Sequence, residues 1–293
     1  MTDGKTFLPG FAEQYTELRG VRLRWFEGGA GAPILLLHGF GGAASNWTLV
    51  APELIRHGRV LVPDLPGHGG SAPLPAPAET MEPFARRVAS LLDRPALVVG
   101  HSLGGVVALR LAAHRPELVR GVLLAGCAGI SSGTREAERL LYLAALVKAG
   151  RRVSPFRRAV SRSPLLRRLV FELVSTADPR ALAERASNGF LAGSALYTDL
   201  HTARVALVRE ELRLDLERVR CPALVLHGAR DKQVPLRDGY EYARRLRAPI
   251  RVIADCGHLL IGERPDAVVD AIRALLHRVG EVDELPVESE LRR

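Results

Sequence analysis

The chain has 293 residues, 47% hydrophobic and 25% charged, with a formal charge of +9, which suits one large or two modest domains and supplies apolar side chains for a sizeable core. No run of about 18 apolar residues occurs, which excludes a membrane span of that kind, and "MTDGKTFLPGFAEQY" lacks the basic start, apolar stretch and cleavage site of a secretory leader, so a cytoplasmic, unprocessed chain is expected. Cys127, Cys221 and Cys256 form no CxxC pair and are read as buried reduced thiols, with no metal site and no cofactor expected.

Short aliphatic runs recur along the chain. They are "VRLRWFE" (21–27), "PILLLHG" (33–39), "RVLVPD" (59–64), "ALVVG" (96–100), "GVLLAG" (121–126), "ALVLHG" (223–228) and "IRVIAD" (250–255). Runs of this length suit strands buried on both faces. The first alternates polar and apolar residues and is expected at a half-exposed sheet edge. Helical patterns separate the runs, at Trp47–His57, Met81–Leu92, Leu103–His114, Leu236–Leu246 and Pro265–Val279. Such alternation predicts a parallel sheet with helices on both sides.

From Ile130 to Glu217 no strand-like run appears, and helical stretches are punctuated by Pro155, Pro164, Pro179 and Gly193. A helical lid over 130–217 is expected, inserted into a core formed by 1–129 and 218–280, with an acidic, frayed tail over 281–293. Within 135–168 ten Lys or Arg stand against Glu136 and Glu138, so one window accounts for most of the net positive charge. No RNP aromatics, zinc-finger spacing or helix-turn-helix signal accompanies it, and nucleic acid is not an expected partner. The arginine-rich segment "LLRRLVFELV" is a candidate for weak contact with an anionic membrane surface, set against an ordinary solvated arginine face.

"GHSLG", Gly100 to Gly104, matches Gly-x-Ser-x-Gly between a strand and a helix, the context in which that motif has chemical meaning. A serine in so tight a turn needs small neighbours two residues to either side, and Gly100 and Gly104 supply them. Ser102 could instead cap the following helix. A nucleophilic hydroxyl requires a base, and the base an acid to orient it. Among nine histidines, His258 follows the last strand through a glycine turn and precedes a helix, at the same sheet edge as Ser102. His38, His101 and His227 stand beside glycines at strand ends and are expected to make loop hydrogen bonds. For the acid, Asp231 lies just beyond the penultimate strand; Asp64 reads as a loop scaffold, and Asp255 is too near His258 in sequence. Two backbone N–H groups would hold an oxyanion. Leu103 follows the nucleophile, and Phe40 sits in the glycine-rich "LLHGFGG" after an earlier strand, behind Gly39.

These segments, "LLHGFGGAASNW", "VPDLPGHGGS", "VVGHSLGG", "CPALVLHGARDKQVP" and "DCGHLLIGERPDAV", together resemble the α/β-hydrolase superfamily, in its lidded serine esterase and lipase-like branch. The resemblance implies an eight-stranded, mostly parallel sheet flanked by helices, with the eighth strand inside "TFLPGFAEQYTELRG", and a helical cap. It also implies Ser102, Asp231 and His258 as a triad with Phe40 and Leu103 as main-chain donors. The expected activity is hydrolysis of a small-molecule carboxylic ester or acyl substrate through an acyl-enzyme. Haloalkane dehalogenases and epoxide hydrolases carry aspartate where Ser102 stands. One alternative is carbon-carbon bond hydrolysis of a vinylogous diketone, with lid arginines Arg185 and Arg204 as carboxylate clamps, although the anion-hole loop here departs from the usual Gly-Ser-Gly-Pro-Gly. Another is a non-catalytic protein that binds ligands in the same pocket.

Overall fold

The computed structural model describes residues 7–18, 20–131, 152–171, 176–194, 196–211 and 215–283. Eight strands form one sheet in the order β1-β2-β4-β3-β5-β6-β7-β8. They are β1 (Ala12–Leu18), β2 (Val21–Gly28), β3 (Pro33–Leu37), β4 (Arg59–Pro63), β5 (Ala96–His101), β6 (Val119–Ala125), β7 (Ala223–Gly228) and β8 (Ile250–Ile253). β1 and β2 run antiparallel to their neighbours and the rest pair in parallel. The eighth strand is β1, within the N-terminal stretch named above. Its hairpin corrects the placement of "VRLRWFE": β2 pairs with both β1 and β4 and lies inside the sheet, while β1, mostly exposed, forms the edge.

The central strands β3, β5, β6 and β7 are buried on both faces, whereas β8, expected from "IRVIAD" to be buried likewise, is a largely exposed edge strand paired only with β7. Alternation along the central strands sorts residues between two cores. Leu35, Leu37, Val98, Leu124 and Val225 pack on one side; Ile34, Leu36, Leu97, Val99, Leu123 and Leu226 on the other. Burial on both faces is why these strands read as continuous apolar runs. The flanking helices are α1 (Ala51–Leu54), α2 (Glu82–Ala89), α3 (Leu103–His114), α8 (Leu236–Leu246), α9 (Leu260–Glu263) and α10 (Pro265–Asp283). α2, α3 and α8 cover the first core through Phe84, Val88, Val107 and Tyr242. α10 covers the second through Val268, Ile272 and Leu275, beside Trp47. The pattern Trp47–His57 resolves into a 3₁₀ turn, Ala44–Trp47, and the single turn of α1, which Pro52 opens. At the other end α10 carries three residues beyond Gly280 before the described chain stops.

Between β6 and β7 the described segments are helical: α4 (Arg157–Arg162), α5 (Pro164–Phe171), α6 (Glu184–Gly193) and α7 (Leu200–Val208); 132–151, including much of the basic window, lie outside the described residues. The insertion is tied to the core at several points. Gly189 packs on the Ala44–Trp47 turn, where its carbonyl accepts from Ser45 Oγ at 2.8 Å; a Cβ there would stand 2.4 Å from the Ser45 carbonyl oxygen. Thr198 and Asp199 N–H donate to the Gly67 carbonyl, and Tyr197 forms a β-bridge with His68. Phe156, Leu165 and Leu169 are exposed beside the arginines of α4 and α5. No helix among the described residues is long and apolar enough to cross a membrane.

Candidate active site

The chain steps from β3 outward to β4 and then back to β5 on the other side. The loops after β3 and β5 therefore diverge and leave a crevice at the carboxyl ends of the strands. Gly39 enters that crevice, where a Cβ would lie 3.2 Å from Ser102 Cβ. Ladder bonds carry the alignment across the neighbouring loops: Ser102 N–H to the Ala125 carbonyl, Gly126 N–H to Leu226, and Arg230 N–H to Cys256.

Ser102 has φ 53° and ψ −118°, one of two non-glycine residues at positive φ among those described. That region is strained for an L-residue. Close packing maintains the strain. A Cβ at Gly100 would meet the Gly104 carbonyl oxygen at 2.3 Å, and one at Gly104 would meet the Leu37 carbonyl oxygen at 2.3 Å, so backbone passes through the space that larger residues would fill. Ser102 stands at the N-cap position of α3 and makes no side-chain cap bond. Its hydroxyl lies 3.0 Å from His258 Nε2.

His258 Nδ1 is 2.7 Å from Asp231 Oδ2. The carboxylate requires a proton on Nδ1, which leaves Nε2 unprotonated to accept from the serine. The other carboxylate oxygen of Asp231 accepts from the Gln233 and Val234 N–H groups at 2.8 and 2.9 Å. Burial works to raise the Asp231 carboxyl, but the electrostatic attraction and hydrogen bond of the His258 ring and the two backbone donors outweigh it and hold the group below the usual carboxylate range. Gly126, at φ 54°, closes over this pair; a Cβ there would stand 3.5 Å from Asp231 Oδ2 and 3.6 Å from His258 Nδ1.

Leu103 opens α3, where the first N–H groups of a helix lack intrahelical partners. Among the described residues neither the Phe40 nor the Leu103 N–H has a backbone acceptor outside regular secondary structure.

The competing groups have other work. Asp64, fully buried, accepts from Arg24 Nε, Ala44 N–H and Gly70 N–H at 2.6, 2.7 and 2.8 Å, and so organises the loops after β3 and β4. Asp255 is exposed and pairs with Arg230. His38 Nε2 accepts from Leu65 N–H at 3.0 Å, and His227 Nε2 contacts the Val234 carbonyl at 3.0 Å. His101 Nε2 reaches the His258 carbonyl at 2.8 Å; burial, with the neighbouring His258, lowers its pKa to about 3, so the ring is neutral and Nε2–H is the donor. Arg185 does not join the Ser102 group. Its Nε donates to Thr48 Oγ1 at 3.1 Å and its terminal nitrogen to the Phe7 carbonyl at 3.4 Å, which anchors α6 to the N-terminal segment. Arg204 lies half-buried on α7. Cys127 and Cys256 are buried thiols, and Cys221 is partly exposed, its pKa pushed up to about 11 by burial. No group of three metal-ligating side chains occurs among the described residues.

Comparison with known proteins adds four likenesses. Residues 34–271 match the alpha/beta hydrolase family. The dihydrolipoyllysine-residue acetyltransferase component of the acetoin cleaving system of Pseudomonas putida is 32% identical over 92% of this chain and 70% of its own length. The 2-hydroxymuconate semialdehyde hydrolase of Pseudomonas sp. (strain CF600) is 32% identical over 82% of this chain and 84% of its own. Among solved structures, a thermophilic esterase of Thermogutta terrifontis superposes with a TM-score of 0.70 at 27% identity, covering 92% of this chain and 98% of that one.

Proposed function

The chain belongs to the alpha/beta hydrolase family, and from that premise we propose that it is a serine hydrolase that cleaves a small carboxylic ester through an acyl-enzyme. The observation that carries the reading is the run of hydrogen bonds from Ser102 Oγ through His258 to Asp231, with the serine held at positive φ. As the serine oxygen attacks the ester carbonyl, His258 Nε2 takes its proton, and Asp231 stabilises the imidazolium. The Phe40 and Leu103 N–H groups hold the oxyanion. Collapse returns the proton from His258 to the departing alcohol. Water, deprotonated by the same nitrogen, then releases the acid and regenerates Ser102. The insertion between β6 and β7 serves as the lid over this site.

Carbon-carbon bond hydrolysis is the second reading, favoured by the likeness to the semialdehyde hydrolase. Of the two arginines expected to clamp a carboxylate there, Arg185 is bonded to Thr48 and Phe7 instead, which weakens this reading. A binding protein without activity has no use for a strained serine that caps nothing. The deciding experiment assays short-chain p-nitrophenyl esters and a ring-fission dienoate with the wild type and Ser102→Ala. Ester turnover that falls by about 10⁴- to 10⁶-fold in the variant supports the proposal. Turnover of the dienoate alone transfers it to the second reading, and equal ester turnover in both proteins sinks it.

A further inference from the structure

Glu263 ends the short helix α9, five residues after His258, and takes no part in the chemistry above. Its carboxylate is nevertheless shared by three backbone donors. Oε1 accepts from Leu259 N–H at 3.1 Å, and Oε2 from Gly257 N–H at 3.1 Å and Ala177 N–H at 2.7 Å. Gly257 and Leu259 flank His258, so one side chain grips the main chain before and after it. The His258 carbonyl is held from another direction by His101, the residue before Ser102. With its backbone fixed on these sides, the imidazole keeps only its side-chain torsions, and Asp231 and Ser102 occupy its two nitrogens.

The third donor comes from a different part of the molecule. Ala177 lies in the insertion, 86 residues from Glu263 in sequence. Burial pushes the Glu263 carboxyl above the usual range, and the three N–H donors pull it back only in part. A partly buried carboxylate that loses a donor is left with an unmet acceptor, which costs more than an exposed bond would. The Glu263 carboxylate is therefore best satisfied when the insertion is seated on the core.

We propose that Glu263 is a positioning residue that holds His258 in register with Ser102 and, through Ala177, makes that register depend on the seating of the lid. The inference rests on the reading of Ser102, Asp231 and His258 as a triad. A substrate that unseats the insertion on entry would meet a loosened base, and reseating would restore it. Binding free energy at the lid is in this way coupled to the position of the base.

The test uses Glu263→Gln, Ala177→Pro and the double variant of the full chain. Glu263→Gln places a carboxamide where three N–H groups point, and Ala177→Pro removes one donor without touching the histidine loop. For Glu263→Gln we expect kcat on a p-nitrophenyl ester to fall about 10²-fold, with KM within about twofold, as for a base displaced by about an ångström. Ala177→Pro should lower kcat about tenfold. The double variant should match Glu263→Gln alone, because both changes act through one carboxylate. Independently of turnover, the low-field proton signal of His258 Nδ1–H should broaden in each single variant. Full kcat with an unchanged proton signal in Glu263→Gln overturns the inference, and additive losses in the double variant overturn its coupling to the lid. Should Glu263→Gln fail to fold, Ala177→Pro decides by the same two readouts. An inactive wild type would count against the ester reading, while the proton signal would still judge Glu263.

Discussion

At the scale of single residues, the site depends on pairs that share protons. Asp231 is held below the ordinary carboxylate range in the folded chain. Its contribution to stability is therefore present above the unfolded value of about 3.9 and is lost as pH falls through the lower folded value. Asp231→Asn lacks this contribution, so the gap in melting temperature between wild type and variant should narrow as pH drops below about 4. The same variant offers His258 Nδ1 the wrong hydrogen-bond polarity or the wrong tautomer. Its kcat on esters should fall about 10⁴-fold at neutral pH. A variant with more than a tenth of wild-type kcat would remove Asp231 from the proposed mechanism. Arg185 teaches the opposite lesson: its residue type fits a carboxylate clamp, but its position assigns it to Thr48 and Phe7.

At the scale of elements, the turn between β5 and α3 stores strain because the neighbouring backbone allows no relaxation. Gly104 sits against the Leu37 and His38 carbonyl oxygens, where a Cβ would stand at 2.3 and 2.6 Å. A methyl group there must push β3 away from α3, and the loop after β3 carries Phe40. Gly104→Ala should therefore destabilise the fold by about 3 kcal/mol, read as a lower urea midpoint, and should also lower kcat in whatever protein remains folded. A variant with native stability and activity would show that the turn has slack that the packing denies. The motif pointed to this turn because glycine at two fixed offsets is a local requirement. Nothing in the sequence distinguishes Glu263 from any other glutamate near a helix end, since its three partners are defined only once β8, α9 and the insertion meet.

For the molecule as a whole, the carboxyl edge of the sheet is lined with histidines that burial keeps uncharged. His68 and His101 are fully buried with pKa values lowered to about 3, first by burial and then by a neighbouring histidine. His38 and His227 are shifted the same way by burial. Between about pH 6.5 and 3 the unfolded chain binds protons at His68 and His101 that the folded chain refuses, so stability is lost as pH falls through that window. At about pH 5 the loss comes to about 2 kcal/mol for each of His68 and His101. The urea midpoint should accordingly drop between neutral pH and about pH 5, and less steeply in His68→Asn. An unchanged midpoint in the wild type would mean that these rings are hydrated or paired in acid.

Seven of the eight strands, the nucleophile turn and the candidates Ser102, Asp231 and His258 were legible in the sequence, because each leaves a local mark: a short aliphatic run for a strand, glycines at fixed offsets for a crowded turn, a histidine or aspartate just past a strand end. β1, with no such run, follows from the family resemblance alone. Tertiary contacts were needed to show that β1 rather than β2 forms the edge, that Arg185 anchors the insertion, and that Glu263 and His101 grip the backbone of His258. These are matters of which distant segments come to share one hydrogen bond. Residue type and spacing constrain the partners a side chain can accept, while the folded chain alone brings one of them within reach.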